Sequence, residues 1–580
     1  MERQVWVYVR SFAMGAVSGI VPGLVLASVS PALFVAGIVS GGLYGAAFSP
    51  GEGSSLDHAL TAAALGVPAW VLVEATAAPL VTTGSPIWTP EAMRGLLPNL
   101  GAWVAAGTAL GPFFVVVGRT AEDHGWVLER QPEPEPEPDT DEKDRVVVLG
   151  GGFAGVTTAQ RLEEKFGPDP SVEIKLVSKD NSMLFTPMLP EVAGGTLGPT
   201  QITSPLRTSL RRTEVVQAEV TGLDPAQKEV YIDGAAKRSE TEVAADGGDG
   251  HVSLEYDHLV VSLGAVPNHM DMEGVEEFAF DFKSLRDAIS IRNHVIACFE
   301  KSDRTNDPER REALVTFVVA GAGFSGAELA GALNDLVHEM VVYYPNVPEE
   351  EVEVVVVHSR DRILPELSED LAEHSLERMR GRGVNFVLKE RVEGADPNAG
   401  TVELSSGDEI RTETLVWTVG NRPHPLIEES NLPSERGAVE VDEHLSVPGF
   451  DGIWAAGDCA KVVDAETGER HPPTAQHATR AAKTLADNVH STTVGGGGLK
   501  PHSYESQGQL CVIGHQSACA EVKGHCFSGF FAWLMWRAVY LGKLPGTERK
   551  LRVLFSWTTE LFFPRDIVQT VGSEVSRRER

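Results

Sequence analysis

Cysteine is scarce in this chain: there are five in 580 residues, none in a C-x-x-C pair. That argues against the disulfide framework of small secreted domains, and Cys459, Cys511, Cys519 and Cys526 read as small packing residues. Positive charge is also short. Lysine and arginine number 49 against 82 acidic residues, a formal net charge of −33. The basic footprint that nucleic acid requires is therefore missing. So large an acidic excess, spread along the chain, suggests a halophilic protein, kept soluble in concentrated salt by hydrated carboxylates. No set of residues with metal-ligand spacing stands out.

Charge of either sign is absent from residue 11 to residue 51, a run long enough for two membrane spans. Pro22 and Pro31, with Gly15, Gly19, Gly23 and Gly37, punctuate it, and a hairpin near Ser28 to Pro31 is the natural break. A third apolar stretch runs from about Ala59 to Val81, interrupted by Glu74, and a fourth from about Leu97 to Val117. A single signal-peptide h-region does not account for repeated stretches. The expectation is an all-α transmembrane bundle of about four helices over residues 1–120, with three as the close alternative. Arg3 and Arg10 precede it and Arg119 and Arg130 follow it, which places both ends in the cytoplasm by the positive-inside rule. Glu74 is either a proton or ligand site, because an intramembrane carboxylate is costly, or a residue near an interface.

Residues 121–144 contain "QPEPEPEPDTDEKD". Proline removes backbone donors and the carboxylates repel one another, so this segment reads as an extended, solvated linker. Beyond it, "RVVVLGGGFAGVTTAQRL" (145–162) is a β-branched run, then glycines, then a helical pattern. Gly150, Gly152 and Gly155 fit G-x-G-x-x-G between strand and helix, with Phe153 and Ala154 opening the helix. The first glycine makes the tight turn, the second admits a pyrophosphate, and the third lets helix and strand pack closely. "VTFVVAGAGFSGAELAGAL" (315–333) repeats the arrangement through Gly321, Gly323, Phe324, Ser325 and Gly326. Two fingerprints in one chain mean two dinucleotide sites and an α/β fold with two Rossmann-like domains.

The order of these motifs resembles the glutathione-reductase-like superfamily, in which an FAD domain is interrupted by an NAD(P) domain. "DGIWAAGDCAKV" (451–462), carrying Gly457 and Asp458, resembles the strand that brings an aspartate to the flavin's ribityl and pyrophosphate region. "YDHLVVSLGAVPN" (256–268), with Gly264, and "ETLVWTVGNRPHP" (413–425), with Gly420, sit where such chains cross between the two parts. The resemblance implies FAD domain parts at 145–311 and 426–492, an NAD(P)H domain at 312–425, and a membrane-associating region at 493–580.

Finer features resemble one branch, the type II NADH:quinone oxidoreductases, over roughly residues 145 to 570. These are "NSMLFTPMLPEVAGGTLGP" (181–199), "GFSGAELAGALNDL", "PPTAQHATRAAKTLADN" (472–488) and "FSGFFAWLMWRAVYLGKLPGTERKLRV…LFFPRDIV" (527–568). The resemblance implies a hydride passing from NADH or NADPH to FAD, then two electrons to a quinone, without proton pumping. It places Thr186 and Pro187 near the isoalloxazine, Ala475 and Gln476 near its quinone-facing edge, and Glu328 at the nicotinamide. Gln476 would bond a quinone carbonyl or pack on the flavin ring. The chain departs from the family in three places. Ser178 and Lys179 stand where an acid should hold the FAD ribose, and His358, Ser359 and Arg360 where one should hold the nicotinamide-side ribose. Arg480 replaces a second glutamine in the helix that follows Ala475.

Near the C-terminus, Phe527 to Leu541 is aromatic, with Arg537 inside it and Lys543, Arg549, Lys550 and Arg552 after it. That pattern reads as a helix lying on anionic lipid, or as a core or dimer helix. The partners expected are NAD(P)H, a quinone and the bilayer, with the enzyme multi-pass in the cell membrane, its catalytic part cytoplasmic, and a homodimer left open. A sensor or transport module acting on the membrane helices is the rival. A sulfide:quinone oxidoreductase is a lesser alternative, for which this chain shows no convincing pair of flavin-facing cysteines.

Overall fold

The computed structural model describes residues 13, 16–27, 33–47, 55–83, 90–123, 143–233, 251–495, 497–504, 506 and 508–570. The chain divides into two compact units, one of residues 1–133 with 547–555, the other of residues 134–546 with 556–580. Of the linker expected at 121–144, residues 121–123 end the helix Pro90–Asp123 and Asp144 opens a strand; residues 124–142, the Ser28–Pro31 turn, Gly15, Arg3, Arg10 and Arg130 lie outside the described residues.

In the larger unit, the run Asp144–Leu149 forms the middle strand of a five-stranded parallel sheet. Val172–Ser178 and then Glu214–Gln217 lie on one side of it, His258–Val261 and then Ile453–Ala455 on the other. Val146, Val147, Val148 and Leu149 are all buried, as a strand covered on both faces requires. A second parallel sheet runs in the order Ala279–Asp281, Thr414–Trp417, Thr316–Ala320, Glu353–His358, Val384–Leu388. It takes its edge strand from upstream of residue 312, where the sequence motifs suggested it would begin. The whole second sheet is inserted between the fourth and fifth strands of the first. The crossover segments pair with each other, Ala265–Pro267 against Asn421–Pro423 in antiparallel register.

Each sheet receives a helix directly from its glycine loop, Phe153–Phe166 and Phe324–Met340. In the first, Ala154, Val156, Ala159, Leu162 and Phe166 are buried, a stripe at helical spacing that faces the core. The helix Ala475–Thr493 packs against it, and Asp487 pairs with both Arg161 (3.2 Å) and Lys165 (3.1 Å).

After residue 508 come three antiparallel strands, Gln509–Val512, Ala518–Val522 and His525–Ser528, and the helix Gly529–Lys543. A helix Thr547–Glu560 follows. The tail then threads back: Arg565 donates to the carbonyls of Gly194 (3.1 Å) and Ala332 (3.2 Å), and Thr570 N–H to Asn293 Oδ1 (3.0 Å). Cys459, Cys511 and Cys519 are buried as expected, but Cys526 is exposed on the edge strand.

The N-terminal unit is helical. Its elements are Ile20–Ala27, Leu33–Ala47, Ser55–Trp70 continuing through a π-helical turn Val71–Ala77 into Ala78–Thr83, and Pro90–Asp123. The expectation of about four spanning helices needs correction. Among the described residues, one stretch, Asn99–Val117, is long and apolar enough to cross a membrane. Within the described residues, Ala16–Ala27 and Leu33–Gly42 are shorter apolar helices. The helix that holds the third stretch carries Asp57 and His58 just before it, and Glu74 lies within it. Glu74 is buried and both its oxygens are satisfied: Asn99 Nδ2 donates to one (2.6 Å) and Trp103 Nε1 to the other (2.7 Å). It ties two helices together at the π-helical turn.

Candidate functional site

The two glycine loops have the same geometry. Gly150 and Gly321 adopt φ of +106° and +103°, a region that glycine alone enters freely. A Cβ added at Gly152 would meet nothing within 4 Å, and one at Gly323 only Glu366 Oε1 at 3.9 Å, so both positions are open to a ligand. At Gly155 and Gly326 a side chain has no room, since it would strike the carbonyls of Gly150 and Gly321. Both following helices start without a side-chain cap. Their first amides therefore remain available to an anion, aided by the helix dipole.

A second correspondence escaped sequence reading. Ser262 Oγ donates to Leu149 O (2.7 Å), and Thr418 Oγ1 to Ala320 O (2.6 Å). Each hydroxyl pins the strand end at the mouth of its glycine loop, and each lies close behind the third glycine. The signal was available: Ser262 and Thr418 both stand two residues before a glycine, Gly264 and Gly420, whose φ values are +73° and +74°.

At the positions expected to meet the riboses, Ser178 is buried beneath Gly151. Lys179 is exposed and turned to Glu219 (3.1 Å), so of the two it is Ser178 that stays against the loop. His358 buttresses the second loop, its Nδ1 accepting from Ala322 N–H (3.2 Å). Burial, and then Arg360, hold its imidazole below the usual histidine range. Ser359 is exposed at the strand end.

A cavity of about 380 Å³ opens beside the first loop, lined by Gly457 and Asp458 together with His471, Thr474, His477 and Ala478. Gly457 lies against Ala154, and Asp458 Oδ2 is 3.4 Å from Lys283 Nζ. Thr186 and Pro187 form a short 3₁₀ turn, Thr186 exposed, next to buried Phe185, whose ring lies between Phe153 (5.7 Å) and Tyr540 (6.1 Å). Neither is among the residues that line the cavity. Ala475 and Gln476 begin the helix capped by Thr474. The Gln476 amide is engaged at both ends, accepting from Tyr504 O–H (2.7 Å) and donating to Gly508 O (3.2 Å). Arg480 lies over the Tyr504 ring at 5.7 Å.

Glu328, Phe324 and Ser325 all belong to the helix after the second loop. Glu328 is turned to the C-terminal strands, where Val512 N–H donates to it (3.2 Å). It shares a cavity of about 30 Å³ with Glu191, Trp536 and Arg537, room for about one water. Burial pushes its carboxyl up to about 8; Val512 opposes the shift, and Cys519 and Glu191 add to it. The folded chain therefore binds this proton more tightly than the unfolded chain. The stabilisation is full below about 4.5 and lost as pH rises through about 8. Glu328→Gln should flatten the fall in unfolding free energy between about pH 5 and pH 9, followed by urea titration of the holoprotein. An unchanged slope would show that Glu328 does not titrate there.

Arg537 corrects the reading of the C-terminal helix. It is buried rather than presented to lipid: its guanidinium lies 3.8 Å from the Trp533 ring and 4.7 Å from that of Trp557, and pairs with Glu560 at 2.6 Å. Trp557 Nε1 donates to Glu191 (2.6 Å), and Arg565 lies near Glu560 (3.4 Å) and Asp335 (3.5 Å). Burial pushes Glu191 up to about 7 despite the nearby Arg537. This ion cluster was not legible as a unit, because its members come from segments far apart in the chain.

Comparison with known proteins agrees with this geometry. The family described as pyridine nucleotide-disulphide oxidoreductase matches residues 144–482, and the NDH2 C-terminal domain matches residues 506–566. The chain is 31% identical to the type II NADH:quinone oxidoreductase of Mycobacterium tuberculosis, over 75% of this chain and 91% of that protein. It is 30% identical to a probable NADH dehydrogenase of Dictyostelium discoideum, over 73% and 91%. A solved structure of NDH2 from Plasmodium falciparum in complex with NADH shares the fold, with a TM-score of 0.66 at 19% identity, covering 74% of this chain and all of that one. With its two glycine loops, its inserted second sheet and its matched C-terminal region, the chain belongs to the type II NADH:quinone oxidoreductases.

Proposed function

We propose that this protein oxidises NADH and reduces a quinone at a membrane surface without pumping protons. The observation that carries the reading is the pair of open, uncapped glycine-loop helices on two sheets joined by their crossover strands. The first loop, with Gly152, Gly155 and the cavity at Asp458, fits FAD; the second, with Gly323 and Gly326, fits NADH. When bound, FAD supplies the two-electron chemistry that takes hydride from NADH and hands electrons to quinone. The chain's own residues orient the two dinucleotides and exclude water. Glu328 is our candidate for the nicotinamide side, and Gln476, released from Tyr504, for the quinone side.

The N-terminal helices serve as the membrane anchor, with the catalytic domain cytoplasmic. The C-terminal region adds a surface contact through exposed Phe531, Leu561, Phe562 and Phe563, an apolar patch of the kind that seats on lipid. The acidic surface suits concentrated salt. Anaerobic stopped-flow mixing tests the reaction: NADH should bleach the flavin, and a quinone should restore it. A flavin that NADH leaves oxidised would overturn the assignment. A second reading, a redox sensor acting on the N-terminal helices, is favoured only by buried Glu74 at its π-helical turn. Deleting residues 1–130 separates the two. An anchor predicts that turnover with a soluble quinone persists while membrane attachment weakens.

A further inference from the structure

Three imidazoles meet at the wall of the larger cavity. His471 and His477 both line it, with ring centroids 4.8 Å apart, and His502 lies 5.1 Å from His471 on the inner side. They come from a loop, a helix and a distant extended segment. His471 is almost fully buried and its Nδ1 has no hydrogen-bond partner. Its Nε2 is 3.4 Å from Asp464 Oδ2. Asp464 is equally buried and accepts from the backbone N–H groups of Glu466 (3.0 Å), Thr467 (2.8 Å) and Tyr504 (2.8 Å). Those bonds hold its carboxyl well below the usual range against the opposing effect of burial.

The other groups around the cluster are few. His477 Nδ1 meets Thr474 Oγ1 (2.7 Å), and its ring faces Tyr504 at 4.7 Å. His502 Nδ1 meets Thr484 Oγ1 (3.2 Å), and its Nε2 has no partner. Arg480 lies over Tyr504. Arg470 and Asp458, the latter near Lys283, share the cavity wall. Burial, and then His471, push His477 and His502 down to about 4. Near neutral pH these two are uncharged, and a proton is held among them only when negative charge nearby offsets that depression.

A fixed carboxylate beside His471, with His477 and His502 each against the His471 ring, is a place where one proton is shared and a second is opposed. Its unpartnered nitrogens are held out of water, beside the cavity that fits the flavin. We propose that the His471–His477–His502 cluster binds one solvent proton when hydride arrives in the adjoining flavin cavity and gives it up when the electrons leave. The balance is complete. NADH loses a hydride and becomes NAD⁺, so the cavity gains two electrons and one hydrogen, with one negative charge. The cluster gains one H⁺ and cancels that charge. On reoxidation both hydrogens and both electrons go to the quinone, and the sum is NADH + H⁺ + quinone → NAD⁺ + quinol. The inference rests on the flavin seating in this cavity.

The test reduces the full-length, FAD-loaded protein with stoichiometric NADH, without oxygen, in weak buffer containing a pH indicator. Wild-type protein should take up roughly one proton per flavin near pH 7. His471→Gln and His477→Asn should each take up far less. Uptake in both variants equal to wild type, or none in wild type, overturns the proposal. Flavin absorbance is read in the same samples. A wild-type protein that binds no flavin would refute the seating itself. A variant emptied of flavin would make its imidazole a cofactor-holding group and overturn the shared-proton role.

Discussion

Gly155→Val should weaken FAD binding by up to about a hundredfold while leaving the nicotinamide domain folded. A side chain at this position strikes the Gly150 carbonyl and approaches Ser262 Oγ to 2.9 Å. Neither can retreat: Ser262 is held to Leu149 and Gly150 carries the positive-φ turn. The helix start must move outward, taking its open amides away from the pyrophosphate. Overpacking of this kind costs about 1–3 kcal/mol, and a loss of about 3 kcal/mol is roughly a hundredfold in affinity. The protein should purify with much less flavin absorbance than wild type. Gly326→Val, blocked in the same way by Gly321 and by Thr418 Oγ1 at 2.7 Å, should instead retain flavin and lose bleaching by NADH. If the two variants exchanged phenotypes, the assignment of the two loops would have to be reversed.

Arg537→Ala should be the most destabilising single change in the C-terminal region. Removal of this guanidinium leaves Glu560 buried with the more distant Arg565 as its cation and the Thr196 hydroxyl at 3.3 Å, and empties the space between Trp533 and Trp557. Breaking a buried pair from one side costs about 3–5 kcal/mol. Glu191, which Arg537 helps to hold down, should rise further, so the deficit should grow with increasing pH as that carboxyl ionises unpaired. Urea unfolding of the holoprotein at about pH 6 and pH 8 measures both effects. Replacing Arg537 and Glu560 together by methionine should recover part of the loss, since two apolar groups leave no orphaned charge. A single variant as stable as wild type would show that the pair is solvated in solution.

The parts of this protein that could be read from its sequence are those that backbone geometry dictates locally. Glycine at positions 150, 152 and 155, and again at 321, 323 and 326, answers to turn, ligand and packing requirements within one strand–loop–helix unit; the turns at Gly150 and Gly321 and the close packing at Gly155 and Gly326 are as expected, and Gly152 and Gly323 leave open space. The N-terminal apolar run was legible as helical but not in its span count. A stretch without charge does not say where helices break, and Glu74 finds its partners Asn99 and Trp103 on another helix. Arg537 looked like a lipid-facing base because its own segment is aromatic, while Trp557 and Glu560, which claim it, belong to the next helix. The orientation of Glu328 depended on Val512, a partner from the C-terminal sheet. The histidine cluster escaped notice because residues 471, 477 and 502 carry no shared period.

The split of the first sheet has a kinetic consequence. Ile453–Ala455 closes the edge beside His258–Val261, yet the ribosome makes it only after the entire inserted domain. Until then the nascent flavin domain exposes an unpaired strand edge and lacks Asp458. Long-range pairings of this sort form late and slowly, and open edges invite association with other chains. The inserted sheet, whose remaining strands lie within one continuous segment, can fold first and hold the waiting edge in place. Flavin capture thus becomes a late checkpoint in biogenesis, reached when most of the chain has been synthesised. The tail that bonds through Thr570 to Asn293 fastens still later.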